Sequence, residues 1–127
     1  MSGKKRITVS SAKAKGRRLQ QLVAQKVSDL LGIPHGKDEL IQSREMGQSG
    51  TDVKLIGEAK ERFRFSLECK AQESWSIHDW IDQAKGNKIT GTDWLLVAKR
   101  SGSEPVAVMD LDTFFRLLKE RPTLKRK

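Results

Sequence analysis

What the chain has little of sets its first limits. A single cysteine, Cys69, excludes an internal disulfide and suits a reducing, cytoplasmic setting. The only histidines, His35 and His78, have no companions at ligand spacing and read as surface residues. No apolar run approaches the roughly 20 residues of a membrane span. The opening Met1-Ser2-Gly3-Lys4-Lys5-Arg6 has no apolar segment behind it, so no secretory signal is expected. Acidic residues are missing from residues 1–18, which hold Lys4, Lys5, Arg6, Lys13, Lys15, Arg17 and Arg18.

That last absence is the most informative. The 127 residues carry 25 Lys+Arg against 16 Asp+Glu, a net charge of +9, and the excess sits at the two ends. The second end has Lys119, Arg121, Lys125, Arg126 and Lys127 against Glu120. Basic ends of this kind bind polyanions. Neither end carries the apolar face that a membrane-surface helix needs, which favours nucleic acid over lipid. The length suits one domain with one core. The expected division is a flexible basic tail over 1–10, a domain over 11–121 and a second basic tail over 122–127.

Periodicity places the elements. Ser10 or Ser11 can cap a helix running to about Leu31, stopped by Gly32 and Pro34. On a helical wheel Leu19, Leu22, Val23, Val27, Leu30 and Leu31 share an arc, and Gln20 falls inside it. Short strands are expected over Leu40–Arg44 and Thr51–Ile56, with Gly57–Arg62 as a charged hairpin connection. Phe63–Lys70 alternates strictly, with Phe63, Phe65, Leu67 and Cys69 on one face and Arg64, Ser66, Glu68 and Lys70 on a polar one. Ser76 and Asp79 suggest a capping box for a helix with Ile77, Trp80, Ile81 and Ala84 on one face, to about Asn87. Trp94–Ala98 reads as a strand buried on both faces, paired with Val106–Met109. Asp110 or Asp112 caps a last helix with Leu111, Phe114, Phe115 and Leu118 inward, stopped by Pro122. The order is α-β-β-β-α-β-β-α.

A carboxylate and an ammonium two residues apart on one strand face invite a chemical reading. If Thr51–Ile56 and Phe63–Lys70 pair antiparallel, Asp52 at the start of one meets Glu68 and Lys70 at the end of the other. Two carboxylates with phosphate and water oxygens suit Mg²⁺, a hard oxygen-seeking ion. Such an ion acidifies water and steadies charge on a phosphorane. A neighbouring lysine can orient or deprotonate the attacking water or neutralise the transition state. Cys69 points to the core face and offers its backbone carbonyl as a ligand, while its thiol packs.

Gly50-Thr51-Asp52-Val53 followed by Glu68-Cys69-Lys70 resembles the PD-(D/E)xK motif of the restriction-endonuclease-like nucleases. Within that superfamily the chain is most similar to archaeal-type Holliday junction resolvases and their phage relatives. The basic pair Lys15-Gly16 on the first helix and the series Arg44, Gly47, Asp52 follow their pattern, over roughly Lys15 to Leu118. The resemblance implies an α/β fold with a central mixed sheet flanked by helices. It further implies a Mg²⁺-dependent endonuclease, with Mn²⁺ able to substitute, that resolves four-way DNA junctions by paired symmetric nicks leaving a 5′-phosphate and a 3′-hydroxyl. The implied assembly is a homodimer on branched DNA, working in the cytoplasm, or in a host's cytoplasm if phage-encoded. Asp52, Glu68, Lys70 and Gln20 become the catalytic set. Asp52, Glu68, the Cys69 carbonyl and Gln20 become the metal ligands, and Lys13, Lys15, Arg17, Arg44, Gln48, Ser49 and Gln72 the DNA contacts. Two departures stand out: Gln20 occupies a position where the archaeal-type enzymes have a glutamate, and Asp52 and Glu68 are sixteen positions apart (68 − 52).

Plainer roles compete with each assignment. Asp52 can be a strand-end cap, Glu68 and Lys70 a cross-strand ion pair, and Gln20 a buried amide bonded to backbone. Glu45 reads as a solvated loop acid; Glu73 beside Gln72, and Gln83 on the second long helix, are further candidates. Trp75, Trp80 and Trp94 read as core or dimer interface, since no aromatic run accompanies the basic ends. Two other functions fit the same residues: a recombination or repair nuclease acting on flaps or ends, and a non-catalytic nucleic-acid-binding protein of the same shape.

Overall fold

The protein is described by a computed structural model covering residues 9–44 and 50–121. Glu45, Gly47, Gln48, Ser49 and Pro122 lie outside the described residues, as do Lys4, Lys5 and Arg6 at one basic end and Lys125, Arg126 and Lys127 at the other. The elements run α1 (Val9–Leu31), β1 (Ile41–Ser43), β2 (Val53–Leu55), α2 (Glu58–Arg62), β3 (Phe65–Ala71), α3 (Ile77–Asn87), β4 (Asp93–Lys99), β5 (Val106–Val108) and α4 (Leu111–Glu120). The mixed α/β class follows. Among the described residues no helix is long and apolar enough to cross a membrane.

The first helix begins at Val9, so Ser10 and Ser11 lie within it and are not its caps. It buries Leu19, Gln20, Val23, Ala24, Val27 and Ser28, a ridge of adjacent pairs repeating every four residues. Leu22 and Leu30, expected inward, are 38% and 70% exposed, because the sheet lies under the Gln20 and Ser28 side of the stripe. Gly32 ends the helix with a positive φ of 70°, a conformation that costs glycine little, and its N–H donates to the Ser28 carbonyl at 2.8 Å.

Two ladders form. β1 and β2 make an antiparallel pair, while β3, β4 and β5 make a mixed sheet, parallel between β3 and β4 and antiparallel between β4 and β5. The expected antiparallel ladder between β2 and β3 is replaced by one backbone bond, from the Asp52 N–H to the Leu67 carbonyl at 2.9 Å. The reason lies in the connection. Glu58-Ala59-Lys60-Glu61-Arg62 are strong helix formers and fold as α2 rather than a hairpin. Ala59 is buried against α1 and the sheet, and Arg62 donates to the Leu31 carbonyl at 3.1 Å, tying α2 to the end of α1. The strand after it starts at Phe65, two residues later than expected.

α1 and α3 cover opposite faces of the sheet. On the α1 side Leu19, Val23, Ala24, Val27, Ile33, Ile41, Val53, Ala59 and Leu67 form one core, with Cys69, Leu95 and Val97 against it. On the α3 side Trp80, Ala84, Trp94, Leu96 and Ala98 form a second. Trp94–Ala98 is therefore covered on both faces, as its continuous apolar run requires. The polar face of β3 is covered too: Ser66 and Glu68 are 3% and 4% exposed, so the strand is not half-solvated. Ser76 holds the N-cap position of α3 without a side-chain cap bond, so the capping box does not form. Asp110 likewise caps α4 by position alone, because its carboxylate accepts from Trp94 Nε1 at 3.1 Å.

The last helix departs most from expectation. Thr113 is its buried residue, whereas Leu111, Phe114 and Phe115 are 70%, 44% and 58% exposed. Two polar anchors set this orientation, the Asp110–Trp94 bond at the N-cap and Arg116, mid-helix, paired with Asp93.

Candidate active site

Four elements deliver side chains to one edge of β3. Asp52 stands immediately before β2, held at both backbone groups: its N–H donates to Leu67, and its carbonyl accepts from Arg44 N–H at 2.8 Å. The Arg44 guanidinium folds back onto the Thr51 carbonyl. Gly50 permits that return, with φ +99° and the Arg44 guanidinium 3.4 Å from where a Cβ would sit. The loop glycine, the arginine and Asp52 thus form one locked turn.

The Asp52 carboxylate is held in its turn by β3, as Cys69 N–H donates to Oδ2 at 2.6 Å. Residues two apart on a strand direct their backbone groups to the same edge. Leu67 and Cys69 therefore both address Asp52, and the Cys69 carbonyl faces that edge as well. The Cys69 side chain turns instead into the α1 core, where burial first, then Asp52 and Glu68, push its thiol well above the ordinary range. It packs and stays protonated.

Glu68 and Lys70 are neighbours on the other face of the strand, with Lys70 Nζ 3.8 Å from Glu68 Oε2. Asn87, the last residue of α3, donates from Nδ2 to Glu68 Oε1 at 3.2 Å. The family resemblance offered Gln83 on the same helix instead, and Gln83 is exposed, as its outward place opposite the Ile77 and Ile81 stripe implies. Spacing carried the signal for Asn87, since Trp80, Ala84 and Asn87 follow the i, i+4, i+7 course of the buried face.

Gln20 reaches in from α1. It is 5% exposed and acts to lower the Asp52 carboxyl, while its Oε1 has no hydrogen-bond partner among the described residues. An unsatisfied buried carbonyl oxygen is costly, about 1–3 kcal/mol, and calls for an explanation.

Electrostatics single out the same pair. Burial raises the Asp52 carboxyl above its ordinary value, although the Cys69 N–H, Lys70, Arg44 and Gln20 all act to lower it. Burial and then the Asp52 charge raise Glu68, opposed by Asn87 and Lys70. Two desolvated carboxylates that repel each other favour a cation between them. Among the described residues no three of His, Cys, Asp and Glu converge on a metal-sized space. Further protein oxygens for a hard ion would come from Gln20 Oε1 and the Cys69 carbonyl, and this donor set suits Mg²⁺ or Mn²⁺.

The expected DNA contacts separate. Lys13 and Arg17 are exposed on α1. Lys15 is engaged, its Nζ 2.8 Å from Ser101 Oγ and 3.9 Å from Glu73 Oε2. Glu73 also accepts from Ser101 N–H, a bond that holds its carboxyl below the ordinary range. Gln72 is exposed, with its backbone carbonyl accepting from Trp75 Nε1 at 2.8 Å. Gln48 and Ser49 fall outside the described residues. A groove of about 820 Å³ takes in Arg44 and adds Arg18, His35, Lys37 and Lys54, with no carboxylate among the described residues of its lining. Arg18, Lys37 and Lys54 come from three separate segments, so sequence proximity gave no hint of their convergence.

In comparisons with protein families, curated proteins and solved structures, nothing matches this chain.

Proposed function

We propose that the protein is a Mg²⁺-dependent, structure-specific endodeoxyribonuclease that acts on four-way DNA junctions as a homodimer. The observation that supports the reading is the convergence of a half-buried Asp52 and a buried Glu68, both raised, with Lys70 beside Glu68 and, on the neighbouring Gln20, an oxygen unsatisfied among the described residues. Asp52, Glu68, the Cys69 carbonyl and Gln20 would hold the ion. When bound, Mg²⁺ supplies acidification of water and neutralisation of phosphorane charge. Lys70 places an ammonium at the carboxylate pair, where it orients the attacking water and offsets developing negative charge. Asn87 fixes the Glu68 rotamer, and the Cys69 N–H fixes that of Asp52. The basic groove leads phosphates toward Arg44 and so toward Asp52, gripping backbone rather than bases.

A junction-cleavage assay with Mg²⁺ tests the reading, using the wild type, Asp52→Asn and Glu68→Gln on junction, flap and linear duplex. Paired symmetric nicks on the junction alone, lost by at least about 100-fold in both variants, are expected. Comparable cutting of all three substrates moves the protein to a general flap or end nuclease. Junction binding without cleavage leaves the non-catalytic DNA-binding reading.

A further inference from the structure

The apolar side of α4 is largely uncovered among the described residues: Leu111, Phe114 and Phe115 are exposed and Leu118 is half-buried. At about 100° per residue, Leu111, Phe114, Phe115 and Leu118 fall within roughly 100° of arc. Thr113 lies on the opposite side and is buried, and Arg116 beside it pairs with Asp93. Two aromatic rings in edge-to-face contact, 5.4 Å between centroids, stand at the centre of the exposed stripe. Surface patches of this kind mark an interface. Residues 1–8, 45–49 and 122–127 supply only Met1, Ile7, Met46, Pro122 and Leu124 as apolar side chains, too scattered to match two phenylalanines and two leucines.

We infer that α4 pairs with α4 of a second copy of this chain, antiparallel, about a two-fold axis near Phe114 and Phe115. The stripe is symmetric about that point, so Leu111 meets the partner's Leu118 and Phe114 the partner's Phe115. Charge supports this direction. Asp112 and Lys119 are seven residues apart (119 − 112), which puts them on the same flank of the helix, one at each end. Neither makes an ion pair among the described residues. In an antiparallel pair Asp112 faces the partner's Lys119 twice over, and the helix dipoles oppose favourably. In a parallel pair the two charged flanks lie on opposite sides of the interface, and neither Asp112–Lys119 pairing forms. The isologous geometry is the usual one for homodimers. A ten-residue helix gives less contact than the standard ~800 Å² per partner, so the dissociation constant is expected near the micromolar range, about 1–50 μM. The interface would join the two sites that paired nicking needs, but it rests on α4 and not on the nuclease reading.

Sedimentation equilibrium of the full chain, without DNA or metal, over about 1–200 μM tests this independently of cleavage. The wild type is expected to dimerise. Phe115→Asp should weaken dimerisation at least ~30-fold with an unchanged circular dichroism spectrum, since the side chain is exposed. Asp112→Lys should weaken it by about 5-fold, and adding Lys119→Asp should restore it. A wild type that stays monomeric at the highest concentration assigns the stripe to residues 1–8 or 122–127 or to another protein, and overturns the proposal. So does a dimer that tolerates Phe115→Asp. A double charge swap no tighter than Asp112→Lys alone overturns the antiparallel arrangement.

Discussion

Cys69 N–H donates to Asp52 Oδ2 at 2.6 Å, so a strand whose cysteine side chain belongs to the core uses the same residue's backbone to aim a carboxylate. Together with the Asp52 N–H bond to Leu67, this joins the β1–β2 pair to the three-stranded sheet. The contact replaces a ladder, and it leaves a half-buried Asp52 beside the buried Glu68 in a place where neither gains from being ionised.

That strain sets the pH dependence. Both carboxyls are raised in the folded state, so between their unfolded and folded values the native protein holds more protons than the unfolded one. Stability then falls as pH rises through that window and stays lowered above it. Asp52→Asn and Glu68→Gln should therefore melt about 3 °C or more above the wild type at pH 7.5 without metal, with the gap closing near pH 4. Millimolar Mg²⁺ should raise the wild-type melting temperature and leave both variants unmoved. Calorimetry across pH checks both statements.

Gln20 supplies an oxygen but no charge. Gln20→Glu is expected to tighten Mg²⁺ binding by about 10-fold, because carboxylate count governs affinity for hard cations. The same change should lower stability in chelator, where a third carboxylate is buried with two others. Metal titration of the melting temperature reads both effects.

Asn87 acts through Glu68. Its replacement by Ala removes the Nδ2 donor, which lets the Glu68 carboxyl rise further. Cleavage should fall by about 10-fold, and the acidic limb of its pH–rate profile should move to higher pH. A purely structural role would lower stability and leave the limb in place.

The basic groove should be visible in salt dependence. Replacing Arg18 or Lys54 with Ala is expected to weaken junction binding and to reduce the slope of log K against log salt by about 1 for each phosphate no longer neutralised. Lys15→Ala should have a smaller effect on binding, since its ammonium is already engaged by Ser101 and Glu73. Fluorescence anisotropy at several salt concentrations separates the two.

Gly50→Ala tests the locked turn. A side chain there must adopt φ near +99° and press on the Arg44 guanidinium, so a loss of about 1–3 kcal/mol is expected by chemical denaturation. Cleavage should drop beyond what that loss explains, because Arg44 and Asp52 share the turn.

Much of this was legible along the chain. The first helix, the alternating β3, the doubly covered β4 and the Asp52, Glu68, Lys70 spacing follow from local periodicity, which depends on residues close in sequence. The inward placement of Gln20 was readable for the same reason, because a helical wheel needs only the helix. Gly57–Arg62 was misread as a hairpin although Glu-Ala-Lys-Glu-Arg carries clear helical propensity.

Other features depended on long-range partners. An apolar stripe on α4 states that something must cover it, but not what; the orientation was decided by Trp94 holding Asp110 and Asp93 holding Arg116. Asn87 became part of the site because α3 ends beside Glu68, nineteen positions away (87 − 68). The groove gathers Arg18, Lys37 and Lys54 from separate segments. Sequence alone determined which ionisable and amide side chains are available to a site and which face of each element is apolar, since both are local properties. Only the tertiary structure decided which carboxylates are desolvated together and which apolar face is left uncovered, because burial is a property of neighbours brought in from elsewhere in the chain.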